Sequence, residues 1–339
     1  MRRAVGTLKS KKGLDTSSLP NILFTLLLCA ACWAIGYNYE IGYPVRGGSG
    51  TSLLWHVISE NLPDRDYLYP AGFALLFLGA SLLQRFNFYF VIIKGKTTHP
   101  FLFFLLLNSV NPDFYPIRPV SIAFFLLLFA LFELFASYQN PRATGRMFNM
   151  MVFVSAGSLV WPYLLWLIPV FGIGMYKFRI LNIKTLAASL LGIFTVYWFV
   201  LSWCVWRDDY AVFTNIAQCL TEMHIIFYKE LWQTELLAPL CAFIVMITLS
   251  IHISLQEFEN TIRSRHFLSF LFIFGVFAFV LSLAYSPIFV DFMCVFYLPV
   301  SIIASYFFSG KPGIISFLFY YFLVALLVFL LFMRLWNFL

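Results

Sequence analysis

A succession of long, unbroken apolar runs from residue 21 almost to the last residue constrains this chain more than any other feature. The run 267–285, FLSFLFIFGVFAFVLSLAY, carries no charge over nineteen positions. In lipid a segment must satisfy its own backbone N–H and C=O groups, which leaves helices or a closed barrel. The runs are solid rather than alternating, so they read as spanning helices and not as barrel strands. Composition excludes a soluble fold. Of 339 residues, 62% are hydrophobic and 11% charged, against roughly 45–50% and about 25% in soluble domains. The fold class expected is an all-α integral membrane protein.

About eleven membrane segments are expected: 21–37, 69–93, 100–110, 120–138, 148–160, 162–176, 185–206, 236–253, 267–285, 289–308 and 313–333. The third is short. At about 1.5 Å per residue it covers only about half a bilayer, so it is helped by its flanks, sits inside a bundle or is re-entrant. The fifth and sixth read as a tight helical pair broken at Trp161-Pro162. Residues 1–20 form a basic segment, and 21–339 a single membrane domain with outer loops at 38–68 and 207–235. No small-residue cleavage site follows the first run, so it is read as an uncleaved span.

Orientation follows from Lys and Arg. With the N-terminus inside and strict alternation, fifteen of the 22 fall on the inner side, six outside, and Arg85 within the second segment. That satisfies the positive-inside rule and places the C-terminus outside. The location expected is a bacterial inner membrane. The +7 formal charge is explained by this topology, and no nucleic-acid partner is expected. Acidic residues gather on the outer side, where the bland reading is loop solvation and the sharper one an acidic functional face.

Two outer stretches have amphipathic spacing. In the first, Leu54, Ile58 and Leu62 recur at i, i+4, i+8 beside Trp55, which fits an interfacial helix on the membrane. The second carries Phe213, Ile216, Leu220, Met223 and Phe227. His56 and Glu60 share a face of the first, but two ligands are a weak metal signal. Cys29 and Cys32 form a C-x-x-C inside the first apolar run and read as packing; Cys204, Cys219, Cys241 and Cys294 show no metal-ligand spacing. Glu133 stands near the inner end of the fourth segment and reads as snorkelling.

The stretch from about Tyr69 to Trp206 resembles the DUF6427 family, an uncharacterised multi-pass membrane family of Bacteroidota. The resembling residues are Thr98-His99-Pro100-Phe101-Leu102-Phe103, Val110-Asn111-Pro112-Asp113-Phe114, Val154-Ser155-Ala156-Gly157-Ser158-Leu159-Val160-Trp161-Pro162-Tyr163 and Leu181-Asn182-Ile183-Lys184. The resemblance implies membrane location and no activity. The order of a span, an outer loop with an interfacial helix, then short paired helices is also similar to the layout of GT-C glycosyltransferases. That resemblance implies an outer-face enzyme taking sugar from a polyprenyl-phosphate carrier, with a catalytic acid in the first outer loop.

Inverting sugar transfer needs a carboxylate to deprotonate the acceptor hydroxyl. It also needs cations or a metal on the leaving phosphate. Glu40, Asp64 and Asp66 are the candidate bases, and Arg65, Arg118 and Arg207 the candidate phosphate ligands. The same residues also read as a local surface ion pair and as arginines snorkelling to lipid headgroups. No cofactor or protein metal site is identified, and a divalent metal stays open. Membrane lipids and a polyprenyl-phosphate-linked sugar are the partners expected. Two other functions stand beside the transferase: a non-catalytic scaffold of an envelope-assembly complex, and a transporter, against which the missing internal repeats count.

Overall fold

A computed structural model of the protein describes residues 19–40, 53–60, 65–93, 97–111, 114–222, 234–255, 261–285, 288–309, 320–329 and 332. Asp64 and residues 41–52 and 223–233 lie outside them. Among the described residues there is no strand. The helices are α1 (Leu19–Asn38), α2 (Leu53–Glu60), α3 (Arg65–Phe90), α4 (His99–Ser109), α5 (Pro119–Ala136), α6 (Thr144–Ser158), α7 (Ile168–Lys177), α8 (Ile183–Arg207), α9 (Ala211–Thr221), α10 (Thr234–Leu255), α11 (Ile262–Ala284) and α12 (Phe289–Phe308). A 3-10 segment, Pro162–Leu167, leads into α7. Tyr320–Phe329 forms α13. Seven of these (α1, α3, α5, α8, α10, α11 and α12) are long and apolar enough to cross a membrane. The protein is an all-α, multi-pass membrane protein.

Local chemistry sets the helix ends. Pro162 has no N–H to continue α6, so the chain breaks after Trp161 and restarts as the 3-10 segment. Asn182 and Thr185 cap α8 reciprocally: Asn182 Oδ1 accepts the Thr185 N–H at 2.9 Å, and Thr185 Oγ accepts the Asn182 N–H at 2.9 Å. Asp208 ends α8 in the left-handed region (φ 54°) and turns the chain into α9.

Burial explains the short α4. All eleven of its residues are buried, so it sits inside the bundle between α1, α3 and α12. A helix about 16 Å long is tolerated at membrane depth when protein, not lipid, surrounds its ends. Pairing of α6 with α8 depends on Gly192, where an added Cβ would stand 2.5 Å from the Phe148 carbonyl oxygen and 3.1 Å from Met151 Cβ. Small residues at such crossings let helix backbones approach without a hydrophobic driving force. Elsewhere α8 presents Phe199 (70% exposed) and Trp206 (78% exposed) outward, a surface suited to lipid.

The helices alternate in direction, so two ends can be told apart. One carries α2, α9, the C-terminus of α1 and the N-termini of α3, α5 and α12; it is called the α2/α9 end below. The other carries Arg142, Arg146, Lys177, Arg179, Arg263 and Arg265, all assigned to one side by the charge count. There Arg263 lies over the Tyr138 and Phe267 rings, at 6.0 and 5.2 Å from the centroids, and Lys177 donates to Ser269 Oγ.

The helix α2 differs from its sequence pattern. Its buried face centres on Trp55, at 1% exposure, which packs against Leu68 and Ile117 with Ile58 beside it. Leu54 and Val57 are exposed and line a cleft instead. The indole is the largest apolar body on this helix, and its burial against Leu68 and Ile117 leaves Leu54 facing the cleft.

Candidate site at the α2/α9 end

The end of α8 builds the most chemically furnished cavity. Arg207 is the last residue of that helix, Asp208 reverses the chain, and Asp209 begins the approach to α9. This short path places a cation and a carboxylate two residues apart at one mouth. Below them lies a cleft of 480 Å³, walled by Leu54 and Val57 of α2, Phe199 and Trp203 of α8, and Val212 of α9. The volume falls within the roughly 300–1,000 Å³ usual for ligand pockets. Among the described residues its lining is apolar apart from Arg207, Asp209 and the Cys204 thiol. Arg207 stands over the Trp203 ring, 5.0 Å from the centroid, which orients the guanidinium without neutralising it. Asp209 Oδ1 accepts the Ala211 N–H at 2.9 Å, which fixes the carboxylate and leaves its second oxygen outside that bond. An apolar trough with a fixed cation at its mouth is complementary to a long-chain amphiphile with an anionic head.

The other sequence candidates are dispersed. Arg118 precedes α5 and its Nε donates to Asp291 Oδ1 at 2.5 Å. The Asp291 side chain is 3% exposed and that of Arg118 16%, so this cation is turned inward and partnered. Asp291 lies in the first turn of α12, where the helix dipole also favours an anion. Asp66 accepts the Tyr37 hydroxyl at 2.7 Å across α1 and α3. Glu40 follows α1 in the left-handed region (φ 54°), exposed, where the chain reverses. Arg65 opens α3, but its side chain, like those of His56 and Glu60, lies outside the described residues, as does Asp64. The cleft that holds Arg207 is lined by none of Glu40, Asp66 or Arg118.

Sequence reasoning passed over two roles. Asp209 and Asp291 are not among the sequence candidates; the left-handed turn at Asp208 brings Asp209 into the lining of the cleft with Arg207. For Asp291 the signal was present, since an acid one turn into an apolar run must find a partner. The partner lies 173 residues away, a separation that no local pattern encodes. Among the described residues no group of three or more His, Cys, Asp or Glu is arranged to hold a metal. Comparison with family models, curated proteins and solved structures finds no match.

Proposed function

We propose that the protein is an outer-face, GT-C-like transferase of a bacterial inner membrane that draws sugar from a polyprenyl-phosphate-linked donor. The supporting observation is the cleft between α2, α8 and α9, whose described lining is mainly apolar and includes Arg207 and Asp209. In this reading the isoprenoid chain enters sideways from lipid along Phe199, Trp203 and Val212. The phosphate rests at Arg207. Asp209 takes the proton of the acceptor hydroxyl as that oxygen attacks the anomeric carbon, and the carrier phosphate leaves with its charge held at Arg207. The N-terminus then lies in the cytoplasm and the α2/α9 end faces outward, in line with the Lys and Arg asymmetry. The base in this reading is Asp209 rather than Glu40, Asp64 or Asp66, because Asp209 lines the same cleft as Arg207.

Single substitutions test this in cells. With Asp209→Asn or Arg207→Ala, envelope glycans fall and the lipid-linked sugar donor accumulates. Unchanged glycans and donor pools in both variants, at wild-type protein levels, refute the reading. Normal glycans together with recovery of the protein in a stable complex would favour the scaffold.

A further inference from the structure

A second groove lies between α1 and α3, and its lining has an uncommon chemistry. From α1 it takes Ala30, Trp33, Ala34 and Tyr37. From α3 it takes Asp66, Tyr69, Pro70 and Phe73. Both sets follow i, i+3, i+4, i+7, so each is one continuous helix face. The helices run in opposite directions, which puts Tyr37 and Asp66 together at the α2/α9 end and Ala30 and Phe73 deeper. Seven residues of rise give a trough about 10 Å long, polar at one end and apolar at the other. Its volume is 280 Å³.

The rings form a box. Tyr37 and Tyr69 meet edge-to-face with centroids 5.7 Å apart, and Trp33 and Phe73 do the same at 5.6 Å. Trp33 is held from behind: its Nε1 donates to Ser109 Oγ at 3.2 Å, and Tyr115 packs on it at 5.1 Å. Gly36 makes room for Tyr115, since an added Cβ would stand 1.9 Å from that ring. The Trp33 wall of the groove is therefore fixed. Among the described residues Asp66 is the one charged group in the lining, and it accepts the Tyr37 hydroxyl at 2.7 Å. Pro70 has no N–H to give the Asp66 carbonyl four residues earlier, so a second acceptor at the same end lacks its helical donor.

We infer that this groove binds a membrane lipid whose headgroup ends in an ammonium, such as phosphatidylethanolamine. A carboxylate beside aromatic faces is the arrangement that attracts alkylammonium groups. An anionic headgroup without an amine would be repelled by Asp66, and a purely apolar ligand would leave the carboxylate unused. The trough beneath takes the first part of an acyl chain along Ala30 and Phe73. Among the described residues the site shares no lining residue with the α2/α8/α9 cleft, so either assignment can fail alone.

The test is lipid retention. Purified full-length protein is equilibrated with nanodiscs of equal phosphatidylethanolamine and phosphatidylglycerol, moved to mild detergent, and its retained lipids are counted by native mass spectrometry. The wild type is expected to retain phosphatidylethanolamine about tenfold over phosphatidylglycerol, and to lose that preference when the amine is acetylated. Asp66→Asn, at an unchanged melting temperature, should abolish the preference. Equal retention of the two lipids by the wild type overturns the proposal without any variant, as does an unchanged preference in Asp66→Asn. Displacement by free ethanolamine at millimolar concentration overturns the assignment to a lipid.

Discussion

The helices α12 and α8 are almost equally apolar, yet 89% of the α12 window is buried and only 28% of the α8 window. Each carries an ionisable group at the same end of the bundle. In α12 it is Asp291, enclosed and bonded to Arg118. In α8 it is Arg207, exposed beside a ring and above a cavity. Position in the bundle, not residue type, separates a charge that holds helices together from one available to a ligand. A bilayer and a protein interior are equally apolar, so hydropathy ranks the two helices alike. Only packing distinguishes them.

That contrast can be broken at its strongest point first. Removing one partner of a buried pair strands the other charge, at a cost of about 3–5 kcal/mol. Asp291→Ala is expected to unfold far more readily in detergent than the wild type, measured by thermal or denaturant unfolding. The double variant Arg118→Ala/Asp291→Ala should be less unstable than the two single losses added together. Simple additivity would mean that the pair does not link α5 to α12.

Overpacking a close crossing comes next. Gly192→Val forces α8 away from the Phe148 carbonyl, and small-to-large changes of this kind typically cost about 1–3 kcal/mol. The cleft wall rides on α8, so ligand binding there should weaken in the same variant. Stability unchanged by Gly192→Val would show that α6 and α8 do not depend on backbone approach.

Arg207→Ala sharpens the comparison from the other side. A surface change away from a packed network usually stays within about 0.5 kcal/mol. Its melting temperature should therefore match the wild type while its affinity for a lipid phosphate drops. A large stability loss would place Arg207 with Asp291, among the charges that hold the fold.

Much of the fold was legible because the apolar runs are solid and bounded by Pro, Gly, Lys or Arg. The run 289–308 coincides with α12, and 100–110 falls within one residue of α4. The break at Trp161-Pro162 was legible because proline lacks a donor. Burial was not. The shortness of α4 made a place inside the bundle one of three readings, and its composition could not choose among them, since a lipid-facing helix has the same composition. The candidate site was legible only as a region. Acids and arginines at one end could be named, but which of them share a cavity depends on turns such as Asp208 and on partners such as Arg118 and Asp291. Trp55 shows the same limit on a smaller scale, because a helical wheel weighs periodicity and not the volume of one indole.

The central claim is that the α2/α8/α9 cleft receives an anionic long-chain carrier with its phosphate at Arg207. Titration of the purified protein with a polyprenyl phosphate and with the matching polyprenol, read by quenching of tryptophan fluorescence, tests it most directly. The account predicts that the phosphate binds at least about tenfold more tightly than the alcohol and that Arg207→Ala erases the difference. Equal binding of the two by the wild type, or a preference that survives Arg207→Ala, would contradict it.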